Sequence, residues 1–251
     1  MEAKVSNNSD SKIDWNEYAL NYDSLNSLGP YREMLAEAVG VIWHSQPNAV
    51  LDAGCGTGNL LARLAAPYIP KLVGMDSSTE MLARAEKKCP AVQFVQAELN
   101  TQLPFEESAF DAIACVNALY AVDDPNKTLA EFARISAHDA TLVIVTPKQN
   151  YDNGLILKAH CGSTKPDEYW RNLHSDLARE ELLMREALQD EVTFQKMRSV
   201  VDVNRRISTN MRFHFFTGPE LRNALQLAGF SVIDLRETYA RQSHLLIARR
   251  T

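Results

Sequence analysis

The chain has 251 residues, of which 45% are hydrophobic, and it carries a formal net charge of −6. This length and apolar content are sufficient for one sizeable core, so we expect a single domain over residues 13–251. The acidic balance and the lack of a Lys/Arg-rich run argue against nucleic acid as a partner. Residues 1–12 are polar and are predicted to form a disordered tail.

The four cysteines lie far apart and form no C-x-x-C pair. They indicate reduced thiols inside the cell rather than a disulfide framework or a zinc site. The N-terminal residues lack the apolar core of a signal peptide, and no apolar run is long enough to cross a bilayer. We therefore expect a cytoplasmic protein without membrane insertion, while its oligomeric state is not defined by the sequence.

Strand-like and helix-like segments alternate from about residue 48 to 147, which predicts βαβ units and a parallel sheet. With two strands near the C-terminus, we expect a doubly wound α/β sheet of seven strands, mostly parallel, with a C-terminal antiparallel strand. The predicted strands are 49–53, 72–75, 92–95, 110–116, 141–145, 230–235 and 245–248. The predicted helices are 58–66, 77–88, 126–135 and 219–227, the last ending at Gly229.

Two segments lie outside this alternation. Residues 13–44 combine aromatic residues with helix formers and predict N-terminal helices. Residues 149–216 are too many for a structureless connection, and their spacing is helical from Pro166 onward and again around residues 192–203. This insertion is predicted either to cap the sheet as a helical pair or, as we favour, to form a lid over a substrate pocket.

A glycine-rich turn follows the first predicted strand. The apolar run that begins at Val50 ends in Asp52, and an amphipathic segment follows the turn. The turn contains Gly54, Cys55, Gly56 and Gly58. This pattern is typical of a buried strand, a turn without side chains and a helix N-terminus, against which a nucleoside-bearing cofactor can lie. Asn59 occupies the position that a third dinucleotide-type glycine would need.

Polar residues follow each of the next three predicted strands. Asp76-Ser77 ends the second strand, Ala97-Glu98-Leu99 follows the third, and Asn117-Ala118-Leu119-Tyr120 follows the fourth. A doubly wound sheet binds its ligand at the carboxyl ends of the strands, so these residues should face one site. The Asp76 carboxylate is suited to accept both hydroxyls of a ribose, or else to cap the following helix.

Taken in this order, the motifs between residues 50 and 147 resemble those of the class I S-adenosylmethionine-dependent methyltransferases. The spacing of Trp15, Tyr18, Tyr22 and Asp23 resembles the lead-in segment of the ubiquinone/menaquinone-biosynthesis-like branch, which acts on small molecules. The resemblance implies a Rossmann-like fold, S-adenosylmethionine as cofactor, and methyl transfer to an O, N, S or C atom of a small molecule. Aromatic residues of the N-terminal segment and the insertion favour a ring-containing acceptor.

The resemblance also implies individual roles. Asp52 would face the methionine ammonium or hold the glycine turn, Glu98 would lie near the adenine amino group, and Asn117 would contact the methionine moiety. Tyr22 and Tyr18 would lie near the sulfonium, whose charge suits an aromatic face, although ordinary helix packing is the alternative. The predicted cofactor-binding residues are Asp52, Gly54, Cys55, Gly56, Gly58, Asp76, Ser77, Met81, Glu98, Leu99, Asn117, Tyr22 and Tyr18.

Candidate catalytic residues are His214 and His160 in the insertion and Tyr120 after the fourth strand, because a carbon or oxygen acceptor usually benefits from a general base. Residues 117–120 lack the two prolines of the N-P-P-Y turn in enzymes that methylate DNA bases or protein amides, which ranks those substrates low. No histidine and carboxylate cluster indicates a metal. A nicotinamide-dependent oxidoreductase on a similar fold and a non-catalytic methyltransferase-like binding module remain as alternatives.

Overall fold

The computed structural model describes residues 15–65, 69–171, 177–210 and 213–251, and the described residues form a seven-stranded sheet. The strands are β1 (Ala49–Ala53), β2 (Lys71–Asp76), β3 (Gln93–Gln96), β4 (Phe110–Val116), β5 (Ser136–Pro147), β6 (Phe230–Thr238) and β7 (Ser243–Arg250). Their spatial order is β3-β2-β1-β4-β5-β7-β6, with β7 antiparallel to both neighbours and the other pairs parallel. The predicted fold class is confirmed.

The helices cover both faces of this sheet. They are α1 (Trp15–Ala19), α2 (Gly29–His44), α3 (Leu61–Leu64), α4 (Thr79–Lys88), α5 (Pro125–Ile135), α6 (Asn153–Cys161), α7 (Asp167–Trp170), α8 (Leu177–Ala187), α9 (Glu191–Asn210) and α10 (Gly218–Leu227). A 3-10 helix, Tyr22–Ser27, joins α1 to α2. Because the order of strands reverses between β1 and β4, the crevice for a ligand is expected at their carboxyl ends.

Two apolar layers bury the sheet, because successive side chains of a strand point to opposite faces. Val50 of β1 packs in the layer that contains α2 and the insertion, whereas the next residue, Leu51, packs in the layer that contains α5 and α10. Both side chains are fully buried. Burial on both faces explains why these strands appear in the sequence as nearly continuous apolar runs.

The helical character of the insertion agrees with the prediction, but its division into helices differs. Helix α6 was not predicted, and α7 and α8 lie where one longer helix was expected from Pro166 onward. Gly154 allows α6 to approach α7 closely, because a Cβ atom built on Gly154 would lie 1.7 Å from the carbonyl oxygen of Trp170. The backbones of the two helices therefore lie close together at this point.

The helix predicted over residues 58–66 is also shorter than expected. Residues 56–60 form turns, and only α3 is helical within the described part of this segment. Gly58, where the sequence pattern predicts the helix to begin, has φ of +78° and lies against Ala85 of α4. This left-handed conformation is not helical, so the turn continues past Gly58. The predicted disordered tail, residues 1–12, lies outside the described residues.

Within the ranges that the structure describes, we find no helix with both the length and the apolar character needed to cross a membrane.

Replacing Gly154 by Ala is expected to destabilise the protein by about 1–3 kcal/mol, because the added methyl group collides with the backbone of α7. Gly40→Ala is the matched control: it lies inside α2 with no atom within 4 Å of the added Cβ. That control should raise the free energy of unfolding by about 0.5–1 kcal/mol. Urea unfolding of both variants measures the difference, and equal effects of the two substitutions would contradict the close contact.

Candidate functional site

The carboxyl ends of β1, β2, β3 and β4 open into one cavity of about 310 Å³. Residues predicted from the motifs line much of it: Tyr18, Tyr22, Gly54, Gly56, Asp76, Ser77, Met81, Glu98, Leu99 and Asn117. The other predicted cofactor residues, Asp52, Cys55 and Gly58, are buried and are not part of the lining. The structure therefore brings residues from separate βα units together as the order of strands requires.

The glycine turn presents bare backbone to the cavity at Gly56. This residue has φ of +52°, and a Cβ atom there would lie 3.5 Å from the ring of Tyr22. Gly58 has a different role, because its added Cβ would lie 3.3 Å from the backbone of Ala85 in α4. A side chain at Gly56 would thus occupy the space beside the Tyr22 ring at the cavity, whereas Gly58 allows α4 to pack against the turn.

Asp76 holds this turn from the end of β2. One carboxylate oxygen accepts the backbone N–H of Gly56 at 2.8 Å, and the other accepts that of Ser78 at 2.9 Å. The role of capping α4 belongs to Ser78, whose hydroxyl accepts the N–H of Met81. Burial raises the pKa of Asp76, and the backbone hydrogen bonds oppose that shift. Each carboxylate oxygen keeps a second lone pair for a ligand.

Asp52 lies beneath the turn with only 2% of its surface exposed. Burial raises the pKa of its carboxyl group to about 8, and the nearby charge of Asp76 acts in the same direction. The folded protein therefore keeps a proton on Asp52 at pH values where the unfolded chain has released it. A cationic group of a ligand would favour the ionised form instead.

This shift predicts a pH dependence of stability. Because the folded pKa is raised from 3.8 to about 8, the folded state binds more protons in that window, and stability falls as the pH rises through it. Asp52→Asn lacks this titration, so its stability relative to the wild type should increase from pH 4 to 8 and then level off. Urea unfolding at several pH values measures the difference.

Asp139→Asn is the control for this titration, because the Asp139 side chain is 71% exposed to solvent. Its stability relative to the wild type should show no comparable rise over the same pH range. A flat difference between Asp52→Asn and the wild type would contradict a proton held on Asp52.

Asn117, directly after β4, places an unpaired acceptor at the cavity. Its φ is +53°, a left-handed conformation that Asn tolerates, and its N–H donates to the carbonyl of Val145 at 2.8 Å. The side-chain nitrogen lies 3.9 Å from the sulfur of Met34, while the Oδ1 atom is buried without a hydrogen-bond partner. A buried oxygen of this kind is satisfied by an N–H donor from a ligand.

Comparison with known proteins agrees with this arrangement. The family described as "Methyltransferase domain" matches residues 50–139. A demethylmenaquinone methyltransferase of Thermotoga maritima is 33% identical over 129 residues, which cover 49% of this chain and 56% of that protein. Residues 50–139 thus belong to a methyltransferase domain family. The chain spans less than two thirds of the curated relatives it first matches, 56% of one and 65% of another.

Solved structures show that the fold extends beyond the matched residues. An S-adenosylmethionine-dependent methyltransferase from Aquifex aeolicus superposes with a TM-score of 0.57 at 18% identity, covering 96% of this chain and 100% of its own. The [4+2]-cyclase SpnF superposes with a TM-score of 0.60 at 14% identity, covering 96% and 97%. At these identities, the likeness establishes the Rossmann-like fold of the methyltransferase domain and no particular reaction.

S-adenosylmethionine is the cofactor of this domain class, and the residues at the cavity fit it. Gly56 leaves backbone open to a nucleoside, Asp76 offers carboxylate oxygens, and the unpaired oxygen of Asn117 suits an ammonium group. The fit between these residues and the cofactor is one of hydrogen-bonding chemistry and charge.

An N-terminal cap, residues 15–28, covers the glycine turn of the methyltransferase domain. Tyr18 and Tyr22 reach the cavity from this cap, with ring centroids 5.3 Å apart. The Tyr22 hydroxyl lies near that of Tyr31, which accepts a hydrogen bond from the Asn59 side chain at 3.3 Å. Burial raises the pKa of Tyr22, so its phenol is neutral. Its ring lies beside Gly56.

Lys88, the last residue of α4, joins this cap to the turn. Its ammonium group donates to Asp23 of the cap at 2.8 Å and to two residues of the turn, Asn59 at 2.6 Å and Thr57 at 3.3 Å. Asn26 of the cap also donates to Asn59, at 2.9 Å. The residue that departs from the dinucleotide spacing therefore anchors the cap over the cofactor turn.

Lys88→Met is expected to weaken binding of S-adenosylhomocysteine about tenfold, because charge-assisted hydrogen bonds that hold the cap are lost. Lys87→Met is the matched control, since Lys87 is the preceding residue of α4 and is exposed to solvent. Isothermal titration calorimetry measures both dissociation constants. Equal affinities of the two variants would refute a role of the Lys88 contacts in cofactor binding.

The candidate catalytic histidines do not join the cavity lining. The Nδ1 atom of His160 accepts the N–H of Gly29 at 3.1 Å, and burial, with Arg32 nearby, lowers the pKa of this histidine. His214 donates its backbone N–H to the carbonyl of Tyr120, and its ring lies 3.2 Å from the carbonyl of Asp123. Both rings therefore contact backbone groups outside the cavity lining, and neither histidine is proposed as a general base.

Tyr120 does line the cavity, as do several residues that sequence reasoning did not single out. Burial raises the pKa of Tyr120, so its hydroxyl is neutral and suited to donate a hydrogen bond rather than to remove a proton. The lining residues that were not predicted include Tyr239 and Gln242, which lie in the turn between β6 and β7. The sequence of that turn contains no glycine or other motif that would indicate a site.

Proposed function

We propose that the protein transfers a methyl group from S-adenosylmethionine to an O, N, S or C atom of a small, ring-containing molecule. The observation that carries this proposal is the meeting of Gly56, Asp76, Glu98 and Asn117 at a single cavity that continues beneath the insertion. The relatives named as demethylmenaquinone and ubiquinone/menaquinone methyltransferases support a small-molecule acceptor.

The bound cofactor supplies a methyl carbon on a cationic sulfur, so an acceptor electron pair forms the new bond as the carbon–sulfur pair returns to sulfur. In this proposal, Asp76 accepts the ribose hydroxyls and Glu98 accepts the adenine amino group. The Oδ1 atom of Asn117 accepts the methionine ammonium. Tyr22 and Tyr18 present aromatic faces near the sulfonium, which stabilise its positive charge.

The insertion completes the proposed site as a lid. Buried Met184 of α8 and Met197 and Val200 of α9 line the cavity on the side away from the strands. Apolar walls exclude water and hold the acceptor in line with the methyl carbon, which is the main requirement of this displacement. We infer that residues 13–251 act as one methyltransferase domain, with residues 149–216 as its lid and Tyr120 contacting the acceptor.

The oxidoreductase alternative receives no support from the glycine turn. Asn59 occupies the place of the third dinucleotide-type glycine, and its side chain is committed to Lys88, Asn26 and Tyr31. We also propose a cytoplasmic location, supported by four cysteines that form no disulfide.

The test combines binding with turnover. The folded wild-type protein should bind S-adenosylhomocysteine in calorimetry and transfer a radiolabelled methyl group to a member of a panel of quinols, phenols, amines and thiols. Gly56→Asn should weaken the binding at least about tenfold, because Asn tolerates the left-handed backbone while its side chain enters the cofactor space.

Gly40→Ala, in α2 and away from the cavity, is the control for this experiment. It should bind S-adenosylhomocysteine as the wild type does. A folded wild type that binds neither S-adenosylhomocysteine nor S-adenosylmethionine would refute the proposal. Binding without transfer to any acceptor would instead favour a non-methylating role, as the fold shared with a cyclase allows.

A further inference from the structure

The cavity extends past the strands that carry the cofactor motifs. Because the strand order is β3-β2-β1-β4-β5-β7-β6, the residues after β5 and the turn between β6 and β7 lie beyond β4 on the same edge. Ser243, the first residue of β7, pairs with Pro147 at the end of β5. Both residues line the cavity, together with Tyr151, Tyr239 and Gln242. This half is available to an acceptor when the cofactor occupies the crevice at β1 and β4.

The turn between β6 and β7 has an unusual backbone. Three successive residues without glycine adopt left-handed conformations: Tyr239 and Ala240 with φ of 53° and Arg241 with φ of 64°. Such conformations cost about 1 kcal/mol or more for each residue with a side chain. Glycine at these positions would adopt the same backbone conformation without this cost.

Gln242 determines the shape of the turn. Its side-chain oxygen accepts the N–H of Asp152, which caps α6, at 2.8 Å, and its side-chain nitrogen donates to the carbonyl of Ala240. Its backbone carbonyl accepts the N–H of Lys148 at 3.0 Å. The turn is therefore tied both to the end of β5 and to the first helix of the lid.

These contacts present the half-buried ring of Tyr239 to the cavity. Its centroid is 6.1 Å from that of Tyr31 in an edge-to-face arrangement, and the Tyr31 hydroxyl lies near that of Tyr22. Burial raises the pKa of Tyr239, so its phenol is neutral. Tyr239 is thus connected through one aromatic neighbour to the tyrosine that covers the cofactor turn.

Apolar side chains of the lid line much of the rest of this half, and the charge around the cavity has one sign. Met184, Met197 and Val200 of the lid are each no more than 3% exposed. Among the lining residues that the structure describes, the charged side chains are the carboxylates of Asp76, Glu98 and Asp123. An anionic group on the acceptor would meet apolar side chains there, with no cationic side chain among the described lining residues to pair with it.

We propose that Tyr239 is a specificity-determining residue whose ring packs against the acceptor, and that this half of the cavity takes an uncharged aromatic molecule. The inference deepens the proposed function and rests on it, because the acceptor half is defined by where the cofactor binds.

The experiment uses two fluorescent probes that share a ring system, neutral N-phenyl-1-naphthylamine and anionic 1-anilinonaphthalene-8-sulfonate. Each is titrated into the full protein saturated with S-adenosylhomocysteine. We expect the neutral probe to bind the wild type at least about tenfold more tightly than the sulfonate. Tyr239→Asn should weaken the neutral probe about tenfold, through loss of ring contacts.

Arg241→Asn is the matched control, because it introduces the same residue into the same turn at an exposed position that is also left-handed. It should leave binding of the neutral probe unchanged, and both variants should retain wild-type affinity for S-adenosylhomocysteine. Equal effects of Tyr239→Asn and Arg241→Asn, equal affinity for the two probes, or no binding of the neutral probe would overturn the inference. A wild type that binds no S-adenosylhomocysteine would instead refute the proposed function itself.

Discussion

The hydrogen bond from the Gly56 N–H to the Asp76 carboxylate is the contact on which the site depends. This hydrogen bond joins the turn after β1 to the end of β2. The two strands are neighbours in the sheet, and the strand order reverses on the other side of β1. The same carboxylate accepts the N–H of Ser78 and so sets where α4 begins. Through this single side chain, the bare backbone of the turn and the start of the next helix take fixed positions around one cavity.

The N-terminal cap depends on that arrangement in turn. Lys88 reaches Asp23, Thr57 and Asn59 because α4 starts at the position that Asp76 and Ser78 determine. Asn59 then donates a hydrogen bond to the hydroxyl of Tyr31, which lies near the hydroxyl of Tyr22. A chain of polar contacts therefore connects Lys88 to the ring of Tyr22 over the cofactor turn. Each of these side chains could form a hydrogen bond to water instead of its protein partner.

The cavity has two halves that differ in chemistry because they are built from different parts of the chain. Strand ends of the βα units supply backbone N–H groups, carboxylates and an amide to the cofactor half. The lid and the turn between β6 and β7 supply apolar and aromatic side chains to the other half. In the function we propose, the first half binds one nucleoside-bearing cofactor and the second half sets which acceptor is aligned with it.

Local patterns in the sequence determine the strands, the glycine turn and the polar residues at the strand ends, since burial on both faces and tight turns leave a clear signature over a few residues. They do not determine the ends of the short helix after the turn, because Gly58 meets Ala85 only after α4 has packed. Nor do they place His160, which reaches Gly29 across 131 residues, or Lys88, which reaches Asp23 across 65. The tertiary structure alone decides these contacts and the position of Tyr239, because each depends on side chains that meet only when distant segments of the chain fold together.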